Sequence, residues 1–295
     1  MKSNLSQKEI KSGKKIIDLL QKDNVLLSPH TLTEIIPDYQ KFIPHINQYG
    51  IWLSKSFLKH KNHKYDKIFF IVNGLAASGK DSLHQEMVKL APNLFYKTVT
   101  ATSRPPREGE TNGIDYHFYS NLPEFKLDIK KNKFIEFLNR NGTYYGLPKL
   151  SIDNAFKQVN PIIYCQIEMS GWQKLEKYVL SQSENILILK AFVLPHMDIT
   201  RYLNWLIQNR VGEDIESRIN KSGWELKTAP QKANFIISNR INPNIPTLTY
   251  SAKSIINYLL QFLKKPPIKK FLTPTDKLKF TEKVLDIIKL HNTIK

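Results

Sequence analysis

The sequence predicts an α/β three-layer sandwich, a mostly parallel sheet carrying helices on both faces. Three observations lead there. The run Ile68-Phe69-Phe70-Ile71-Val72 is short, apolar and unbroken, as suits a parallel strand covered on both sides. The residues 185–193 contain a second such run, Ile-Leu-Ile-Leu-Lys-Ala-Phe-Val, and Phe235-Ile236-Ile237-Ser238-Asn239 reads as a last strand. Directly after the first run come Gly74, four residues, Gly79 and Lys80, then a helix-compatible stretch, His84 to Leu90. Strand, glycine-framed loop and helix in that order form the context of a phosphate-binding loop. The loop amides and the helix N-terminus would cradle a polyphosphate, and Lys80 would add a cation.

Composition limits the alternatives. The chain has 295 residues, of which 41% are hydrophobic, enough for a sizeable core. Forty-four Lys and Arg against 26 Asp and Glu give a net charge of +18. The lysines are spread along the chain, which argues for a solvated basic surface and positive ligand clefts and against nucleic acid as the partner. A single cysteine, Cys165, excludes a disulfide framework. No secretory leader and no membrane-length apolar stretch is visible, so the expectation is a soluble, cytoplasmic protein with no membrane partner.

Three regions follow in order. Residues 1–65 read as a helical extension. Ile10, Ile16, Ile17, Leu19 and Leu20 share one helical face, Pro37 and Pro44 interrupt the next segment, and Ile51, Trp52, Leu53, Phe57 and Leu58 give another apolar face. His60 and His63 lack further ligands nearby, so no metal centre is expected there. Residues 66–265 form the main domain. Beyond it, Lys264-Lys265-Pro266-Pro267 reads as a linker, and 266–295 as a second helical extension, in which Thr273-Pro274-Thr275-Asp276 starts a final helix that runs to about His291. Such extensions could serve a protein partner.

Within the main domain, residues 97–102 alternate towards strand and lead into Thr102-Ser103-Arg104-Pro105-Pro106-Arg107-Glu108-Gly109-Glu110, then Gly113-Ile114-Asp115-Tyr116-His117-Phe118. Two arginines three apart, stiffened by two prolines, suit bidentate recognition of phosphate. The position after Lys80 is Asp81, followed by Ser82. Both offer hard oxygen for Mg²⁺.

Together with Lys133-Phe134-Ile135-Glu136-Phe137 and Asn141-Gly142-Thr143-Tyr144-Tyr145-Gly146, these segments resemble the guanylate kinase family, from about residue 66 to about 265. The resemblance implies a P-loop NTPase fold, ATP and Mg²⁺ as donor and cofactor, and nucleotides as small-molecule partners. It implies phosphorylation of GMP or dGMP. Residues 98–148 would form a small monophosphate-binding subdomain and 210–218 a lid. By the same resemblance, Gly74, Ala77, Ser78, Gly79, Lys80, Asp81 and Ser82 would hold ATP, with Asn239 at the adenine. Arg104, Arg107, Tyr116 and Tyr145 would hold the GMP phosphate. Thr100, Glu110, Glu136 and Glu168 would line the guanine pocket, where a buried carboxylate at Glu136 accepts from N1–H and the 2-amino group and rejects adenine. Lys80, Arg104 and the lid residues Arg210 and Arg218 would stabilise the transferring phosphoryl group.

Some positions depart from that pattern. Leu147-Pro148 stands where the family has Ser or Thr against the base, and Gln166 replaces the first of two carboxylates, the second being kept as Glu168. The Gly-Lys-Asp-Ser and Tyr-Gly-Leu-Pro runs are similar to ribose 1,5-bisphosphate phosphokinases, which makes that sugar phosphate the rival acceptor. A non-catalytic phosphopeptide-binding module of the same shape is the rival from another class, and the intact Gly79-Lys80 argues against it.

Overall fold

The computed structural model describes residues 51–53, 63–76, 78–140, 142–183, 185–195, alternate positions from Tyr202 to Gln208, 215–239 and 247–268. Of the two predicted extensions, 1–65 and 266–295, residues 1–50, 54–62 and 269–295 lie outside the described residues, as do Ala77 and Arg210.

The main sheet has six strands. They are β1 (Ile51–Leu53), β2 (Lys67–Gly74), β3 (Phe95–Lys97), β8 (Ile162–Gln166), β9 (Ile186–Pro195) and β10 (Phe235–Asn239), in the spatial order β1-β10-β9-β2-β8-β3. All pairs are parallel except the edge pair β1–β10, where Ile51 faces Ile237 and Leu53 faces Phe235. The unbroken apolar run in β2 has a simple cause: the strand is central and buried on both faces. Phe69 and Ile71 enter one core with Ile163, Cys165, Trp172, Leu175, Ile219 and Leu226. Ile68, Phe70 and Val72 enter the other with Leu83, Met87, Ile255, Ile256 and Leu259. Helices α1 (Lys80–Leu90) and α6 (Thr247–Phe262) thus cover one face. Helices α3 (Lys149–Phe156), α4 (Trp172–Leu180) and α5 (Ile215–Lys232) cover the other, completing the three layers.

Ile51-Trp52-Leu53 corrects one expectation. These residues form an edge strand of the main sheet, not a helical face. Three apolar residues in succession carry no period, and here pairing with β10 decides their conformation. The stretch 97–102 is likewise divided, between β3 in the main sheet and β4 (Thr100–Thr102) in a second one.

That second sheet has the order β5-β4-β7-β6, built from β4, β5 (Tyr116–Phe118), β6 (Phe134–Arg140) and β7 (Thr143–Pro148), with α2 (Leu122–Lys130) packed against it. Phe125 and Phe134 stack at 4.7 Å over its inner face. Gly146 makes room for them, since a Cβ there would sit 2.7 Å from the Phe134 ring. Leu147, next along β7, is fully buried in the main core rather than turned to an open pocket.

Candidate active site

Five parallel strands end at one edge of the main sheet, and the loops that follow build the site there. After β2 the chain passes Gly74, whose role is spacing: a Cβ would lie 2.2 Å from the Val193 carbonyl oxygen of β9. Leu75 N–H then donates to that same carbonyl at 3.1 Å. Gly79 adopts φ 75°, a left-handed conformation that suits glycine, and turns the chain into α1. Lys80 opens that helix and folds its ammonium back into the loop. Its Nζ donates to Gly74 O (3.0 Å), Leu75 O (2.7 Å) and Ser78 Oγ (3.3 Å). Burial pulls its pKa down to about 8. An anion entering the loop would supply the countercharge that two carbonyls now replace. Asp81 and Ser82 are exposed in the first helical turn. Gln166 ends β8 in register with Val72, and its Oε1 is buried with no hydrogen-bond partner among the described residues. These are hard oxygen donors beside the loop, and they fit Mg²⁺.

The second cradle is built on β4. Arg104 follows β4 and forms a two-pronged pair with Glu110, Nη1 to Oε2 at 2.6 Å and Nη2 to Oε1 at 2.7 Å. Glu110 also accepts from the Arg107 backbone N–H at 2.8 Å. These contacts hold the Glu110 carboxyl down at about 2 and push Arg104 further up. Glu110, expected in the base pocket, is therefore committed to orienting Arg104. The guanidinium carbon lies 5.1 Å from the centre of the Tyr116 ring and 5.6 Å from that of Phe118, both favourable cation–π distances. Arg104 Nε is buried with no hydrogen-bond partner among the described residues. Tyr116 and Tyr145 meet edge to face at 6.3 Å. Strand pairing brings them together: β4 pairs Thr100 with Tyr116 on one side and Thr102 with Tyr145 on the other. Thr100 itself is half-buried, and Arg107 is exposed at the rim. The Gly-Ile-Asp-Tyr run shapes the loop, with Thr111 N–H donating to Asp115 Oδ2 (2.8 Å) and Phe118 N–H to Asn112 Oδ1 (2.9 Å).

Between the cradles lie the acidic residues. Glu136 is 7% exposed, and burial raises its pKa to about 7. It presses on Gly171, where a Cβ would meet its Oε2 at 2.7 Å. Glu168 follows β8 and pairs with both Arg140 and Lys221. Glu225 is buried, accepts from Asn73 Nδ2 at 3.1 Å and lies 3.6 Å from Lys221. Arg218 is on α5, one turn before Lys221, and its charge acts on both Lys221 and Arg140. The segment 210–218, expected as a lid loop, is helical from Ile215 onward. Asn239 ends β10 in register with Pro195.

The two cradles lie near enough for charge to act between them: Asp81, next to Lys80, acts on Tyr116, and Arg140, from the second sheet, acts on Lys80. Sequence reading missed Asn73, Arg140, Lys221 and Glu225. For two of them a signal existed, because 218, 221 and 225 fall on one helical face.

The family model described as guanylate kinase matches residues 67–238, more than half of the chain. The chain belongs to the guanylate kinase family. Three guanylate kinases illustrate the similarity. That of Rickettsia typhi is 31% identical over 154 residues, covering 52% of this chain and 73% of the relative. That of Desulfitobacterium hafniense is 30% identical over 192 residues, covering 64% and 88%. That of Rickettsia prowazekii is 33% identical over 150 residues, covering 51% and 71%. The guanylate kinase match spans both cradles and α5 and leaves out β1 and α6. Among the described residues no helix is long and apolar enough to cross a membrane.

Proposed function

We propose that this guanylate kinase-family chain transfers the γ-phosphoryl group of ATP to GMP or dGMP. The observation that carries this reading is the pair of cradles, one around Lys80 folded into its glycine-framed loop and one around Arg104 held by Glu110. In this reading Gly79, Ser78 and the first amides of α1 wrap the donor phosphates, and Lys80 leaves the carbonyls of Gly74 and Leu75 for the β- and γ-oxygens. Asp81 and Ser82, with Gln166 Oε1 nearby, would hold Mg²⁺, which would supply positive charge against the donor phosphates. Arg104, oriented by Glu110, fixes the acceptor phosphate with Arg107, Tyr116 and Tyr145. An acceptor phosphate oxygen supplies the electron pair to the γ-phosphorus, and the pair on the β,γ-bridging oxygen departs with ADP. No general base is required, because a phosphate dianion is already nucleophilic. Catalysis is positioning plus electrostatic stabilisation, with Arg218 on the lid side.

Glu136 supplies acceptor selectivity. Its carboxylate, buried and half-ionised near neutral pH, is stabilised by two N–H donors on a guanine edge. Ribose 1,5-bisphosphate would leave it without donors, which weighs against the rival acceptor. Leu147, buried in the core, contributes no hydroxyl to the base. The test is ADP release with GMP, dGMP, AMP, UMP, CMP and ribose 1,5-bisphosphate in turn. Turnover at least about 10²-fold more efficient with the guanine nucleotides is expected. Equal or better turnover of the sugar bisphosphate would overturn the reading.

A further inference from the structure

Arg140 belongs to neither cradle, yet it lies between them. It ends β6 on the strand face that carries Glu136, since 136, 138 and 140 alternate with the other face. Its guanidinium carbon is 5.4 Å from the centre of the Tyr145 ring. Tyr145 meets Tyr116, and Tyr116 carries Arg104, so a guanidinium flanks each end of the tyrosine pair. On its other side Arg140 pairs with Glu168. The cations that oppose or are opposed by it come from two further elements: Lys80 at the start of α1, and Arg218 and Lys221 on α5.

Such convergence of cations is costly unless anions balance it. The protein's own anions here are shared. Glu168 serves Arg140 and Lys221 together, and Glu225 serves Lys221 and Asn73. Glu168 therefore acts as a stand-in for a ligand anion at Arg140. Resting on the kinase reading above, we propose that Arg140 is a catalytic guanidinium, supplied from the acceptor-side sheet, which exchanges Glu168 for the oxygens of the phosphoryl group in transit. Arg140 donates N–H hydrogen bonds throughout and stays protonated. The bond that forms joins the acceptor phosphate oxygen to the γ-phosphorus, and the bond that breaks is the one to the β,γ-bridging oxygen. A planar fork can follow charge as it spreads over the equatorial oxygens, which a point charge does less well.

The experiment compares wild type, Arg140→Ala and Arg140→Lys by steady-state GMP turnover, by equilibrium binding of GMP and of ATP separately, and by rescue with added guanidinium ion. Arg140→Ala is expected to lower kcat by about 10²–10³-fold while each separate affinity changes less than about threefold. Guanidinium at millimolar concentration should restore at least about tenfold of the loss, which repair of a merely structural defect would not do. Arg140→Lys keeps the charge and should still lose about tenfold or more in kcat, and it carries the test should the alanine variant fail to fold. Full activity of either variant, or a loss confined to binding, overturns the inference while the kinase reading stands. A wild type that makes no GDP overturns both.

Discussion

Replacing Glu136 by Gln should damage function and improve stability at once. The carboxyl is raised from 4.5 to about 7 by burial beside Gly171. The folded protein therefore holds a proton between about pH 4.5 and 7 that the unfolded chain has released. Stability falls as pH rises through that window, and above it the buried carboxylate costs the fold on the order of 3 kcal/mol, at about 1.4 kcal/mol per unit. The isosteric amide removes this cost. For a chain of this size 1 kcal/mol moves Tm by roughly 2–4 °C, so the ligand-free variant should melt several degrees above wild type at pH 9. The difference should vanish at about pH 3, well below the unfolded-state value of 4.5, where wild type is neutral in both states. Against this gain, the amide turns one acceptor into a donor facing guanine, and kcat/KM for GMP should fall by about 10²-fold. The assays are thermal unfolding without ligand at both pH values and GMP-dependent ADP release. A variant that melts no higher than wild type at pH 9 refutes the burial argument, and one that turns over GMP normally refutes the role in base recognition.

Gly171→Ala would push a methyl to within 2.5 Å of Glu136 Cδ, so it should raise KM for GMP about tenfold while leaving ATP affinity unchanged, as titration of each nucleotide would record. Glu110→Gln removes the charge from the two-pronged pair that orients Arg104, and a similar rise in KM for GMP with little change in KM for ATP is expected. Gly74→Ala sets a methyl 2.2 Å from the Val193 carbonyl oxygen inside the central sheet, where backbone cannot yield cheaply. It should destabilise the fold by about 3 kcal/mol or more, read as a fall in the urea midpoint.

Much of this architecture was legible because local pattern and tertiary role coincide. The apolar run in β2 is unbroken because the strand is covered on both faces, and Gly79 precedes Lys80 because the turn into α1 needs positive φ. Where the two diverge, sequence misleads. Gly74 belongs to the loop around Lys80, but the demand that no Cβ be present comes from its neighbour β9, which the loop pattern does not show. Ile51-Trp52-Leu53 carries no period, and only its partner Phe235–Ile237 makes it a strand. Glu110 reads as a pocket acid until the fork from Arg104 is seen to consume both of its oxygens. Arg140 and Lys221 were invisible for a different reason. In a chain with 44 basic residues, nothing local distinguishes a cation turned into a cleft from one in solvent. Glu225 shows the same from the acidic side, since its burial depends on Asn73, distant in sequence.

Whether the cradle at Lys80 and the cradle at Arg104 open onto one continuous cleft can be measured with a single ligand, adenosine and guanosine joined through five phosphates. Calorimetric titration should give one molecule bound per chain, at least about 10²-fold tighter than ATP or GMP alone, because one tether satisfies both sites. Lys80→Ala and Arg104→Ala should each remove that advantage. Binding no tighter than that of the better single nucleotide would mean that the two cradles do not share a cleft.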